Sequence, residues 1–278
     1  MTAVALTIAG SDPSGGAGLQ ADLKTFHQHG VYGMSVVTLL TVQNTERVSR
    51  VVVQSAELVR EQLEAVLSDI RPAAAKTGAL GDHTVVEALA ERAAEFDFPL
   101  VIDPVMISKH GARLIEDRAA RVLVERLLPR AFLITPNLPE AAVLADRPVA
   151  CEADMLWAAE AIAARGVPHV LIKGGHLAGQ AIDLLWTEGR VERFVGSRED
   201  TPHTHGTGCV FSAAITARLA RGEALVDAVR GAKQFIAAAI RTHPGLGHGR
   251  GPVNLFVDAP LRNLPAAEPK GQRPLNKG

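Results

Sequence analysis

Sulfur and aromatic rings are scarce in this chain: 278 residues hold two cysteines, one tyrosine, two tryptophans and eight phenylalanines. Cys151 and Cys209 lie far apart and in no CxxC pair. That excludes a disulfide framework and a zinc-finger type of site, and it fits a reducing, cytoplasmic compartment. With only 4% aromatic residues, the core has to be built from Ala, Val, Leu and Ile, which favours helices packed on a sheet. Net charge is almost absent too, at −1 with both signs interspersed. No basic face is available for a nucleic-acid backbone, and there is no electrostatic case for a membrane surface. No stretch approaches the roughly 18 uninterrupted apolar residues that a membrane span needs. The segment MTAVALTIAG has an apolar run without a basic flank or a small-residue cleavage site, and it reads as a first strand.

What is present is a 47% apolar chain, long enough for one large α/β domain or two small ones and able to bury a substantial core. Short Val/Ile/Leu runs alternate with longer Ala-rich stretches of helical period, the pattern of βα units around a mostly parallel sheet. The expected strands are 3–9, 34–41, 73–77, 100–103, 132–135 and 169–173. They run into GSDPSGGAG, VQNT, GALGD, DPVM, TPNLPEA and KGGH. Open α/β sheets bind ligands outside the carboxyl ends of their strands, so these endings are where chemistry is expected. Residues 181–195 read as an antiparallel hairpin turning at Glu188 and Gly189, which makes the sheet mixed. Residues 208–243 read as two Ala-rich helices broken near Gly222. Beyond Asp258 the chain is rich in Pro, Lys, Asn and Gly, so 259–278 is expected to be a disordered tail behind one domain at 1–258.

Two glycine-rich segments carry the candidate chemistry. Gly10-Ser-Asp-Pro-Ser-Gly-Gly-Ala-Gly18 permits positive φ and close backbone approach, but its spacing is neither a Walker A loop nor GxGxxG. A tight turn explains it as well as a binding loop does. Gly206-Thr207-Gly208-Cys209 precedes an apolar run of helical period. Free N–H groups at a helix start form an anion site, and the same field lowers a thiol from about 8.5 toward neutrality. Such a thiolate can take a proton from a hydroxyl while the amides hold a transferring phosphoryl group. The plain alternative is a small buried hydrophobe. His203, His205 and Cys209 would need a further ligand to form a metal site.

The motifs IAGSDPSGGAGLQADLKTF, VVTLLTVQNT, KTGAL, DPVM, LITPNLPEA, LIKGGH, THGTGC and GHGRGPV occur in that order between Ala3 and Phe256. In this the chain resembles the hydroxymethylpyrimidine/phosphomethylpyrimidine kinases of thiamin biosynthesis, within the ribokinase-like superfamily. The resemblance implies a three-layer α/β/α fold with a mostly parallel central sheet, ATP and Mg²⁺, and phosphorylation of 4-amino-5-hydroxymethyl-2-methylpyrimidine and then of its monophosphate. It makes Cys209 the base, where many superfamily members carry Asp, with Gly206, Thr207 and Gly208 as the anion hole. Asp22 and Gln43 match positions that hold the pyrimidine, with the Gly10 backbone nearby. Asn137 and Glu140 fall near the phosphates and Mg²⁺, Asp103 near the metal, and Lys173 and Lys233 near the triphosphate.

Each of these residues also has a structural alternative. Asp22 suits the first turn of a helix, Gln43 a strand end, and Asn137-x-x-Glu140 with Pro139 a capping box. Asp103 could cap the loop before Pro104, and the two lysines could be solvated. The chain departs from many relatives at Ala79, where they carry a bulky residue, so a wider substrate pocket is expected. The nearest rival function is a pyridoxal or pyridoxine kinase on the same scaffold; a non-catalytic pyrimidine or nucleotide sensor is a rival of another class. Some superfamily members are activated by a monovalent cation, whose ligands are not placed in this sequence. Isologous dimers are the commonest assembly, so a homodimer is the expected state.

Overall fold

The computed structural model describes residues 2–106, 115–175, 177 and 180–259. The expected tail lies outside the described residues except for Ala259, as does His176 of the KGGH motif.

The first strand, β1 (Val4–Ser11), is apolar on both faces and almost wholly buried, as a central strand must be. It is followed by α1 (Gly18–Gln28), β2 (Tyr32–Gln43), β3 (Val48–Val53), α2 (Ala56–Leu67), β4 (Ala74–Thr77), α3 (His83–Ala93) and β5 (Leu100–Ile102). Next come α4 (Asp117–Val122), β6 (Leu133–Ile134), α5 (Leu138–Ala145), α6 (Glu152–Ala163) and β7 (His169–Ile172). The described chain finishes with β8 (Ala181–Thr187), β9 (Arg190–Gly196), α7 (Thr207–Ala220) and α8 (Leu225–Arg241).

These strands form one sheet in the order β3-β2-β1-β4-β5-β6-β7-β8-β9. From β2 to β7 all neighbours are parallel, whereas β3, β8 and β9 run antiparallel to theirs. The hairpin turns where expected, with Glu188 at φ 50° and Gly189 at φ 78°, both left-handed. One strand escaped the sequence reading: β3, a half-exposed edge strand paired with β2.

Side-chain alternation along the strands separates the layers. Ala75, Ile102, Ile134, Val170 and Ile172 face a core shared with α2 to α6. Val101, Leu133 and Leu171 face the opposite way, onto α7 and α8, while Ala5 and Ala74 pack with α1 and α7. Helices therefore cover both faces, giving three layers of the α/β/α type. Each fully buried Leu or Ile in them contributes about 1.5–3 kcal/mol relative to exposure. Helix α7 is buried nearly all round from Val210 to Arg218, so it shows no amphipathic stripe.

The caps set where helices begin near the sheet edge. Asn137 Oδ1 accepts the Glu140 N–H at 2.9 Å while Glu140 Oε2 accepts the Asn137 N–H at 2.8 Å, the capping box anticipated from sequence. Helix α7 starts differently, at Gly206 with φ 78° and no side-chain cap. Among the described residues no helix is long and apolar enough to cross a membrane.

Candidate active site

Strand order reverses around β1: β2 lies on one side of it and β4 on the other, so the carboxyl ends of these parallel strands open a crevice there. Gly10 is the last residue but one of β1, Gln43 ends β2, Gly78 follows β4, Asp103 follows β5, and Asn137 and Lys173 lie beyond β6 and β7. All of them line a single cavity of about 170 Å³, together with Glu140 and Gly206 to Cys209. A second cavity of about 260 Å³ shares Asn137, Lys173, Thr207 and Gly208 with the first. It continues to Lys233 and an apolar wall of Phe211, Ile236 and Ile240. The structure thus gathers nearly every residue singled out in the sequence into two adjoining cavities.

The two glycine segments pack on each other. Gly206 has φ 78°, and a Cβ there would collide with the Gly16 carbonyl oxygen; Gly18, at φ 57°, is held in the same way by the Gly10 carbonyl. Asp12 ties them together. Its Oδ1 accepts the Ser14 N–H at 2.8 Å and the Ser14 hydroxyl at 2.7 Å, and its Oδ2 accepts the Ala17 N–H at 2.9 Å. His205 Nε2 lies 2.8 Å from the same Oδ2 and 3.3 Å from Gln43 Nε2. Burial alone would raise the Asp12 carboxyl, but the bonds from His205 and Ser14 outweigh it and hold the group below its ordinary value.

Cys209 sits in the first turn of α7, and its thiol corrects the expectation of a lowered pKa. Burial pushes it up to about 12; Lys76 opposes the rise, Asp22 and Asp103 add to it, and the Gly18 N–H bond to the sulfur opposes it. Desolvation is the largest influence on this thiol. Thr207 is tied back, with its N–H at 3.3 Å and its hydroxyl at 2.7 Å from the Thr204 carbonyl. The N–H groups of Gly208 and Cys209 belong to the first turn and have no intrahelical acceptor.

Asp22 is the main departure from expectation. It lies beyond the first turn of α1, fully buried, and does not line either cavity. Lys76 Nζ bonds both its oxygens at 2.8 and 2.9 Å, and the Thr7 hydroxyl donates to Oδ2 at 2.6 Å. A carboxylate so engaged has little left to offer a ring. Lys233 is not solvated either: its ammonium lies 2.6 Å from Asp183 Oδ2.

Beside the thiol, Lys173 Nζ is 3.0 Å from Asp103 Oδ1, and the Ser212 hydroxyl donates to Asp103 Oδ2 at 3.2 Å. Burial would lower the Lys173 ammonium, yet Asp103 and Glu140 hold it above its ordinary value. Glu140 goes the other way. Burial first, and then the Asp103 charge, raise its carboxyl to about 7 against the attraction of Lys173. Two carboxylates facing one lysine make an electronegative corner whose hard oxygen donors fit Mg²⁺. Among the described residues no group of three or more His, Cys, Asp or Glu could hold a metal. Such an ion would complete its shell with phosphate oxygens and water, as Mg²⁺ commonly does. His203 stacks on His243 with centroids 4.3 Å apart, whereas His205 pairs with Asp12.

Residues 12–254 match the family model described as phosphomethylpyrimidine kinase. The chain belongs to this family. The chain is similar to the hydroxymethylpyrimidine/phosphomethylpyrimidine kinase of Rhizobium meliloti (strain 1021), 48% identical over 260 residues, which are 92% of this chain and 98% of that one. The protein of the same name from Bacillus subtilis (strain 168) is 43% identical, covering 91% and 94%. Among solved structures, phosphomethylpyrimidine kinase from Clostridium difficile 630 superposes with a TM-score of 0.77 at 41% identity, covering 85% of this chain and 99% of that one. An ADP complex of Bacillus subtilis pyridoxal kinase gives 0.84 at 39% identity, covering 91% and 97%.

Proposed function

We propose that this protein is an ATP-dependent kinase that phosphorylates 4-amino-5-hydroxymethyl-2-methylpyrimidine and then its monophosphate, yielding the pyrophosphate used in thiamin biosynthesis. The observation that carries the reading is the pair of adjoining cavities. One combines an amide, a thiol and a helix start; the other combines a lysine-rich polar end with an apolar slot; Lys173 and Gly208 stand between them. Residues 1–258 act as one catalytic unit in the cytoplasm, as a homodimer, with no nucleic-acid partner.

In this reading the pyrimidine enters the first cavity and the Gln43 amide meets its amino group and ring nitrogen, complementary donors and acceptors. Asp22 acts from behind the wall, through Lys76. The triphosphate lies toward Lys173, which attracts it as a point charge, and the Gly206–Cys209 turn receives the transferring group. The hydroxyl oxygen forms a bond to the γ-phosphorus, the bond from that phosphorus to the β,γ-bridging oxygen breaks, ADP leaves, and the hydroxyl proton passes to Cys209. Asp103 and Glu140 would hold Mg²⁺, which would supply neutralisation of phosphate charge. A thiol near 12 is mostly protonated at neutral pH, so the base is a scarce but strong thiolate. A loose transition state asks little of it, and most of the acceleration comes from positioning and charge. In the second transfer the nucleophile is a phosphate already ionised near neutrality, so no base is required.

Pyridoxal phosphorylation is the second reading: the Bacillus subtilis pyridoxal kinase complex shares the fold, without fitting better than the phosphomethylpyrimidine kinases do, and the small Ala79 side chain lies on the cavity wall. Measuring kcat/KM for the pyrimidine and for pyridoxal in parallel, with ATP and Mg²⁺, decides between them. The proposal predicts a preference for the pyrimidine; a preference for pyridoxal would replace it.

A further inference from the structure

Asp183 belongs to no motif tied to the chemistry, yet it joins three parts of the second cavity. It is an acidic residue in the middle of the apolar strand β8, and it is buried at 4% exposure. Strand β8 runs antiparallel to β7 with Ile172 opposite Leu184, which brings Asp183 alongside the end of β7. There Oδ1 accepts the Gly174 N–H at 3.0 Å, and Oδ2 accepts from Lys233 Nζ at 2.6 Å. Gly174 follows Lys173 directly.

The surroundings leave this turn little freedom. A Cβ on Gly174 would collide with the Ile182 carbonyl oxygen, so only glycine lets the turn sit against β8. The Lys233 stem crosses Gly196 of β9, where an added Cβ would lie 2.9 Å from Lys233 Cε. Lys233 therefore reaches Asp183 from α8 across the hairpin. A buried carboxylate is tolerable only with a counter-charge and satisfied oxygens, and here one comes from α8 and the other bond from the turn.

We infer that Asp183 is a positioning residue for the nucleotide, fixing the Lys173–Gly175 turn through the Gly174 N–H, with Lys233 as its counter-ion. Lys233 then acts on the nucleotide through Asp183 instead of as a separate phosphate contact. The inference rests on the reading of Lys173 as a triphosphate contact.

The test is calorimetric binding of ADP, and separately of the hydroxymethylpyrimidine, to the full chain and to Asp183→Ala, Asp183→Asn, Lys233→Met, Asp183→Asn/Lys233→Met and Lys173→Met. Asp183→Ala should weaken ADP binding about 10- to 100-fold, the value of a hydrogen bond to a charged group, with pyrimidine affinity unchanged. Asp183→Asn, which keeps an oxygen for Gly174, should recover part of the loss. Lys233→Met should weaken ADP binding in the wild-type background and add little in the Asn background. Equal losses in both backgrounds would make Lys233 a direct phosphate ligand and overturn the inference. So would parallel losses of ADP and pyrimidine binding in Asp183→Ala, the mark of a purely structural role. If Lys173→Met weakens ADP binding and Asp183→Ala does not, the inference fails alone; if Lys173→Met has no effect, the reading beneath it fails as well.

Discussion

Lys76 and Asp22 form an ion pair sealed from solvent, with the ammonium 2.8 and 2.9 Å from the two carboxylate oxygens and neither side chain exposed. Burial alone would lower the Lys76 ammonium, but Asp22, with Cys209 and Asp103 behind it, holds the group above its ordinary value. Breaking one half of such a pair strands the other charge. Lys76→Met is expected to lose about 3–5 kcal/mol of stability in chemical denaturation, and Lys76→Met with Asp22→Asn to recover most of it. A loss below about 1 kcal/mol would mean that the pair is not ionised.

Cys209 is expected to matter for one transfer and not the other. Cys209→Ala should slow phosphorylation of the alcohol about 10²- to 10⁴-fold, the range of general-base catalysis, and leave phosphorylation of the monophosphate nearly intact. Cys209→Asp should retain part of the first activity. Because burial holds the thiol near 12, the first rate in the wild-type protein should climb steadily from neutral into alkaline pH. An unchanged first transfer in a folded Cys209→Ala protein would remove the base from the mechanism.

Much of this site could be read from the sequence because buried strands announce themselves as apolar runs and ligands gather where such runs end. Gly10, Gln43, Asp103, Asn137, Lys173 and Cys209 were placed at or just beyond strand ends or at a helix start, and all line one cavity. Partners across the sheet were harder to see. Asp22 is expected at the pyrimidine, or else in the first turn of a helix, because its counter-ion lies on β4, a neighbour that only the strand order supplies. The thiol was misjudged for a related reason: the field of α7 is local and legible, whereas burial among Lys76, Asp22 and Asp103 is tertiary. One signal was available. Lys76 in AAAKT and Asp183 in AIDLLW are charges inside apolar strand runs, and a buried charge demands a partner. Strand β3 was missed because its half-exposed edge position gives neither a continuous apolar run nor a clean alternation.

Glu140 should make stability depend on pH. Its folded carboxyl is raised to about 7 from 4.5. Both states are protonated well below 4.5, so the contribution is complete there; it is lost as pH rises through about 7, where the unfolded chain has already released the proton. Relative to Glu140→Gln, the wild-type protein should therefore lose up to ~3 kcal/mol between pH 4 and pH 8. Denaturation curves for both proteins across that range would show the wild-type protein falling away from the variant as pH rises. A difference independent of pH would place the Glu140 carboxyl in an ordinary environment.

Gly206→Ala probes the contact between the two glycine segments. An L side chain at φ 78° is strained, and its Cβ would meet the Gly16 carbonyl oxygen. The loss should exceed about 1 kcal/mol of stability and reduce both phosphoryl transfers, because the Gly208 and Cys209 amides move with the turn. Thermal melting together with the two initial rates tests this; full activity of both kinds would show that the turn relaxes without disturbing the site.

The most direct test is a time course of product masses from one purified preparation given ATP, Mg²⁺ and 4-amino-5-hydroxymethyl-2-methylpyrimidine. A pyrimidine monophosphate that rises and then gives way to the diphosphate is the predicted result, since one pair of cavities is assigned both transfers. A monophosphate that accumulates without further conversion, or no phosphorylated product at all, would contradict it.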